Sequence, residues 1–343
     1  MTGEATMKRR TFLLSAPFLM LGAQGARSQP AVDCAAQAEA GDAIVTEQKI
    51  AKFSPRARIE LVKAISSGWG TATTFGLVTP IRIHHFMAQI ATETGGFVSI
   101  DENLSYSVER LKQVWPSRFR DHGVAMACAR NPQALAEHVY GGRLGNDRPG
   151  DGYRYRGSGF IQLTGKANFR TKTQGLGLDP DAVAAPDQIR QPKSGFDAAL
   201  KFWNAVKANE LADRDELTAL RKRINGGLHG MADLKIWLAR ARRFYKPGVP
   251  SPNESDAADV EELAAVQDRL KELGVLTTGP QETDSPGKTV DALQQVREER
   301  GLTQKNVSGV DPRLGIATLY DEDMLYALTD PDDRRSEERG NLQ

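Results

Sequence analysis

Residues 79–96 constrain the fold of this chain more than any other segment. Thr79-Pro80 has the form of a helix start, an N-cap hydroxyl followed by a proline whose missing N–H is not needed in the first turn. Ile83, Phe86, Met87, Ile90 and Ala91 then recur at the three- and four-residue spacing of one helical face. Gly95-Gly96 ends the run, because glycine readily takes the left-handed conformation that closes a helix. A helix this apolar must be covered by other elements, and its neighbours carry the same period. Helices are expected over 108–114, capped by Ser107 with Glu109 near the positive end and Pro116 beyond, and over 196–206 and 234–244. The stretch 151–165 is different: it is dense in glycine and aromatics, and Phe160-Ile161-Gln162-Leu163 suits a short strand or turn.

A chain of 343 residues has room for one catalytic-size domain and something smaller. Its formal charge of +1 gives no global mark of a nucleic-acid binder. Two cysteines, Cys34 and Cys128, are too few for a disulfide scaffold or a four-ligand zinc site; one bridge between them and two unpaired thiols both remain open. Residues 1–29 read as a signal peptide: Lys8-Arg9-Arg10, an apolar run over 11–21, then small residues around Ala23-Gln24-Gly25 and Ala26-Arg27-Ser28. Arg9-Arg10-Thr11-Phe12-Leu13 resembles a twin-arginine signal. The run is short for a spanning helix, so the expected location is the periplasm or outside the cell, without stable membrane insertion; an uncleaved anchor is the alternative. A first block over 35–247 is followed by a linker over 248–256, where Pro250, Pro252 and their polar neighbours have little to pack. A smaller helical block spans 257–328, and the charged tail over 329–343 is expected to be disordered.

The chemistry concentrates at the end of the first helix. Glu93 lies three residues after Ile90 and seven after Phe86, on the apolar face and in the last turn. Apolar neighbours and the negative helix end both disfavour its charged form, which raises the pKa as a general acid requires; a helix-end glutamate turned into water is the plain alternative. Glu102, nine residues on, sits in the polar segment Asp101-Glu102-Asn103-Leu104-Ser105-Tyr106, where a solvated carboxylate stays ionised and can act as a base toward water. An ordinary loop glutamate is the alternative, and Asp101 competes for the role. One buried acid facing one solvated base is the pair that an inverting glycosidase needs.

At these residues the sequence resembles family 19 glycoside hydrolases, the group of plant-type and bacterial chitinases and many phage endolysins. The run Phe86-Met87-Ala88-Gln89-Ile90-Ala91-Thr92-Glu93-Thr94-Gly95-Gly96-Phe97 is similar to the family's catalytic helix. Glu102-Asn103-Leu104-Ser105-Tyr106-Ser107 resembles the segment with its second glutamate, 153–165 its cleft signature, and Ile224-Asn225-Gly226-Gly227 its late Asn-Gly-Gly motif. The four occur in the family's order over about 80–245. The resemblance implies a mainly α, lysozyme-like bilobal catalytic domain, Glu93 as general acid and Glu102 as general base. It implies Thr164 as a holder of the attacking water, and Gln162, Asn168, Asn225 and Tyr155 as polar cleft positions that bind substrate or hold the site together. For Asn225 a turn-capping role before Gly226 is equally open. Many relatives have histidine where this chain has Thr92, so their pH dependence does not carry over. His84 and His85 read as helix residues with no metal role, and no cofactor is needed.

The second block reads as amphipathic helices over 266–274, 287–302 and 310–319. It resembles the small three-helix peptidoglycan-binding modules beside wall hydrolases, departing from them at Val296, where an aromatic is common. A helical accessory domain without glycan affinity is the alternative. The expected partners are peptidoglycan or chitin chains, with no nucleic acid, and the expected state is a monomer. A non-catalytic wall-binding protein on a degenerate glycosidase fold is the rival from another class.

Overall fold

The computed structural model describes residues 44–175, 185–246, 260–277, 286–308, 315–316 and 319–329. The leader over 1–29, Cys34, the linker over 248–256 and all but Thr329 of the tail lie outside them. The described residues belong to one unit, Ala35–Gln343.

The chain is mainly α, and among the described residues its only β pairing is a pair of isolated bridges, Asp101 with Ser158 and Ser158 with Leu163. The helices in order are α1 (Glu47–Phe53), α2 (Ile59–Thr74), α3 (Pro80–Thr94), α4 (Val108–Val114), α5 (His122–Cys128), α6 (Pro132–Tyr140), the single turn α7 (Asp151–Arg154) and α8 (Lys166–Gly175). A 3-10 turn, Pro186–Arg190, leads into α9 (Pro192–Ala205), α10 (Ala208–Ala212), α11 (Leu217–Asn225) and α12 (Met231–Phe244). The last three are α13 (Val260–Glu272), α14 (Pro286–Glu299) and α15 (Glu322–Leu328).

Local signals account for most of the ends. Ser107 accepts from the Arg110 N–H at 3.2 Å and starts α4 where its hydroxyl suggested. Gly95, at φ 59° and ψ 45°, closes α3 in the left-handed conformation. Thr79 differs from expectation: it occupies the N-cap position of α3, but its hydroxyl is buried and bonds nothing described, so the proline alone sets the start. The run 160–163 is a turn ending in the bridge at Leu163, not a strand.

Helix α3 is buried on nearly every side. Phe86 packs edge-on against Phe196 of α9 and Trp203, with ring centroids 6.0 and 5.3 Å away. Gly68 lets α2 approach α9, since a Cβ there would meet the Phe196 ring at 2.7 Å. Truncating a ring so enclosed as Phe86 costs about 3–5 kcal/mol. A second, smaller core gathers Leu104, Tyr106, Trp115, Phe119, Leu135 and Tyr140, and gives the molecule its other lobe; Cys128 is buried there.

The C-terminal helices share the larger core rather than forming one of their own. Val266, Leu270, Leu293, Met324 and Leu328 belong to the same buried cluster as Phe86 and Trp237. Helix α12 lies between α3 and α13. Glu262 of α13, fully buried, accepts from Arg240 of α12 at 2.6 Å, from Arg243 at 3.2 Å and from the Tyr320 hydroxyl at 3.0 Å. Arg240 also donates to the carbonyls of Phe53 and Lys52, each at 3.0 Å, tying α1 into the same network. Val296, where the resembling modules commonly have an aromatic, is buried in the same core. Most of 310–319 lies outside the described residues.

Candidate active site

Glu93 occupies the last turn of α3, its side chain 12% exposed. Its Oε1 is in contact with Nη1 of Arg221, a fully buried arginine on α11. The same guanidinium donates Nε and Nη2 to the His229 carbonyl at 2.9 and 2.7 Å, and Nη1 also reaches Gln89 Oε1 at 3.3 Å. Gln89 lies one helical turn before Glu93, so the arginine grips two successive turns of the helix face. No described residue is bonded to Glu93 Oε2, which leaves that oxygen for a proton or a ligand. In sequence Glu93 is marked only by an apolar helix face and a helix terminus; the structure adds a positive charge in contact.

The turn after Glu93 is tight because glycine permits it. Gly96 has φ 73°, and a Cβ there would meet Ser54 Oγ and the Trp237 ring at 2.7 Å. The turn continues through Val98, with Val98 and Ser99 N–H both donating to the Thr94 carbonyl, and leads into Asp101-Glu102. Here the structure corrects an expectation. Glu102 is not a solvated loop carboxylate; it is 7% exposed and held at both oxygens. Tyr140 donates its hydroxyl to Oε1 at 2.7 Å and Gly157 its N–H to Oε2 at 2.9 Å. Tyr140 belongs to the smaller lobe, whereas Glu93 sits on the larger one, so the two carboxylates answer to different packing clusters. Asp101, the competing candidate, has both oxygens bonded to Arg156, at 2.7 Å each.

The cleft-signature residues converge behind Glu102. A Cβ on Gly157 would lie 2.8 Å from Gln162 Oε1 and 3.2 Å from Glu102 Oε2, so these two side chains flank the same glycine. Gln162 adopts φ 46°, a conformation that costs a non-glycine residue about 1–3 kcal/mol, and is held there by its Nε2 bond to the Gly159 carbonyl at 3.1 Å. Thr164 donates to the Gln162 carbonyl at 2.9 Å, and Asn168 donates to the Thr164 carbonyl at 2.7 Å. Tyr155 turns inward, its ring 5.4 Å from that of Phe169. Asn225 ends α11 one turn after Arg221, with its Nδ2 buried and bonded to no described residue. Arg221 and Tyr140, which contact Glu93 and Glu102, do not stand out in the sequence. Arg221 could have been found from its four-residue spacing to Asn225; nothing near Tyr140 in the sequence points to Glu102.

The two histidines serve the far half of α3. His84 Nε2 donates to the Tyr245 carbonyl at 3.2 Å, and His85, fully buried, pairs through Nε2 with Asp215 at 2.7 Å. Burial pushes the pKa of His84 down to about 4, and that of His85 down as well. No group of three potential metal ligands occurs among the described residues, and no described helix is long and apolar enough to cross a membrane.

The scaffold is mainly α and presents two largely buried carboxylates, one against a buried guanidinium and one under a tyrosine hydroxyl. A curated relative from Haemophilus influenzae, a glycosyl hydrolase family 19 domain-containing protein, is 35% identical over 202 residues, which are 58% of this chain and 95% of the relative. This chain belongs to glycosyl hydrolase family 19. No protein-family model matches it. Among solved structures it is similar to chitinase C from Streptomyces griseus, at 18% identity and a TM-score of 0.38 over 61% of this chain and 96% of that one. A bacterial family 19 chitinase is similar at 20% identity and a TM-score of 0.37, over 60% and 98%.

Proposed function

We propose that this chain is an exported enzyme that cuts β-1,4 linkages of N-acetylated glycans, peptidoglycan foremost, by an inverting acid/base reaction. The observation that carries the reading is the unlike anchoring of the two carboxylates: Glu93 keeps Oε2 unbonded at the end of α3, while Glu102 has both oxygens oriented by Tyr140 and Gly157. Glu93 gives its proton to the glycosidic oxygen as the bond from the anomeric carbon breaks. Glu102 takes a proton from water, whose oxygen bonds that carbon from the opposite face. The configuration inverts, with the carboxyl groups expected about 6.5–9.5 Å apart. Proton exchange with solvent then restores both groups. Thr164 and Gln162 position the water, Asn168 holds the Thr164 backbone, and Tyr155 backs the turn. The unbonded Asn225 donor suits an oxygen of the sugar or its acetamido group.

Peptidoglycan is preferred over chitin because residues 1–29 read as an export signal and 257–328 resemble wall-binding modules. In this reading the chain acts as a monomer in the periplasm or outside the cell. The test is a digest of purified peptidoglycan and of chitin oligosaccharides with products identified by mass spectrometry, wild type against Glu93→Gln. New reducing ends made only by the wild type support the enzyme and name its polymer. Tight wall binding with no product from either polymer refutes it and favours a non-catalytic wall-binding protein.

A further inference from the structure

The segment that carries Glu102 is held to the rest of the site by very little backbone. Glu102 N–H donates to the Gly157 carbonyl at 3.0 Å, and Gly159 N–H to the Ile100 carbonyl at 2.7 Å. These two bonds frame the isolated antiparallel bridge between Asp101 and Ser158. A pairing this short is marginal by itself, and a slip of one residue in an extended segment turns every side chain to the other face. Here such a slip would put Asp101 where Glu102 belongs.

We propose that Asp101 and Arg156 are the positioning pair for Glu102, a register lock on the reverse face of the segment that keeps the base turned into the cleft. Consecutive extended residues point to opposite sides. The Glu102 carboxylate meets Tyr140 and Gly157, whereas Asp101 faces a cavity of about 510 Å³ lined also by Arg58, Arg156 and Arg190, to which Glu102 does not contribute. Arg156 binds Asp101 in parallel through Nε and Nη2, both at 2.7 Å, a fork that fixes orientation as well as distance. Its remaining Nη1 donates to the Tyr153 carbonyl at 3.1 Å, and its guanidinium lies 4.2 Å from the centre of the Tyr153 ring. Arg190 stands behind, with Nε 3.4 Å from Asp101 Oδ1 and Nη2 bonded to the Arg154 carbonyl at 2.7 Å. Arg156 is the residue immediately before Gly157, so the ion pair joins the neighbour of the base to the neighbour of the glycine that bonds it. The Asp101 side chain is 45% exposed, and half-exposed pairs contribute little to global stability. The effect of the pair should therefore appear in turnover.

The proposal rests on Glu102 being the base, and the experiment separates the two. Full-length wild type, Asp101→Asn, Arg156→Lys, Arg156→Ala, the double variant Asp101→Asn/Arg156→Ala and Glu102→Ala are compared on purified peptidoglycan and chitin oligosaccharides for kcat, KM and thermal midpoint. Expected are kcat losses of about 10- to 100-fold in Asp101→Asn and Arg156→Ala with KM and midpoint nearly unchanged, since small misplacements of a catalytic group cost that much. Partial recovery in Arg156→Lys, and a double variant no worse than the worse single one, are expected from residues acting as a unit. Should Arg156→Ala fail to fold, the near-isosteric Asp101→Asn decides. Wild-type kcat in Asp101→Asn, together with an inactive Glu102→Ala, overturns the lock and leaves the base assignment standing. An active Glu102→Ala overturns the base assignment and the lock with it.

Discussion

Arg221 and Glu93 touch through a single nitrogen, Nη1, while the other two nitrogens of the same guanidinium are bonded to one backbone oxygen, that of His229, at 2.9 and 2.7 Å. The arginine is thus fastened to the protein first and to the acid second. A lysine cannot reproduce this fork. Arg221→Lys is expected to lower kcat by about 100-fold or more with substrate affinity largely kept. Arg221→Ala, which leaves Glu93 facing an empty space, should also cost about 3–5 kcal/mol of stability. Glu93→Gln should abolish turnover while the thermal midpoint stays near that of the wild type. A large loss of midpoint in Glu93→Gln would assign that glutamate to structure.

Tyr140 should tune the base without replacing it. Tyr140→Phe removes the hydroxyl that bonds Glu102 Oε1 at 2.7 Å. A hydrogen bond to a charged group contributes about 1.5–3 kcal/mol, so kcat should fall about 10- to 100-fold. Glu102→Gln should fall further, by about 100- to 10,000-fold, the range for general acid-base groups. Steady-state kinetics that rank Tyr140→Phe below Glu102→Gln would remove Glu102 from the base role.

Gly157→Ala tests the convergence behind Glu102. The added methyl would press on Gln162 Oε1 and Glu102 Oε2 at 2.8 and 3.2 Å. Overpacking of this kind costs about 1–3 kcal/mol, which a chain of this size should survive folded. Turnover should fall far more than stability, and an unchanged kcat would mean that these side chains move aside without consequence.

The C-terminal helices are expected to matter for the catalytic core itself. Removing 248–343 would expose the α12 face and strand Arg240 and Arg243 without Glu262. Breaking a buried ion pair costs about 3–5 kcal/mol, and the lost core adds to it. The truncated chain should be insoluble or unfold well below the full-length protein in a thermal melt. Retention of full stability together with loss of wall attachment would instead mark a separable binding module.

Stability should depend on His84. Burial lowers its folded pKa to about 4, beneath the unfolded value near 6.5. The unfolded chain therefore takes up the proton first as the pH falls. The contribution of neutral His84 is whole above about pH 6.5 and is lost progressively towards about pH 4, with a total on the order of 3 kcal/mol. Urea denaturation at pH 7 and at pH 4.5 should show a smaller pH effect in His84→Gln than in the wild type. Equal slopes would show that the imidazole is not what the acid titrates.

Much of this was legible in order along the chain. The start and end of α3, the Ser107 cap and the C-terminal ends of α9 and α12 follow from proline, serine, glycine and the 3.6-residue period, all of which act within a few residues; α9 and α12 begin four and three residues before the expected 196 and 234. Glu93 was legible for the same reason, because a helix end and an apolar face are local properties. The environment of Glu102 was not. Its neighbours in sequence are polar, and polar neighbours suggest water; its neighbours in space are Tyr140 and Gly157, 38 and 55 residues away.

The sequence by itself determined where α3 starts and ends, which of its faces is apolar and that Glu93 falls in its last turn, because period, caps and residue type need no partner. Tertiary structure alone decided what those carboxylates touch. Arg221 reaches Glu93 from 128 residues away, and Glu262 joins the C-terminal helices to Arg240 inside one core. Charge pairing and burial depend on distance through space, and the chain order does not encode that distance until the helices have packed.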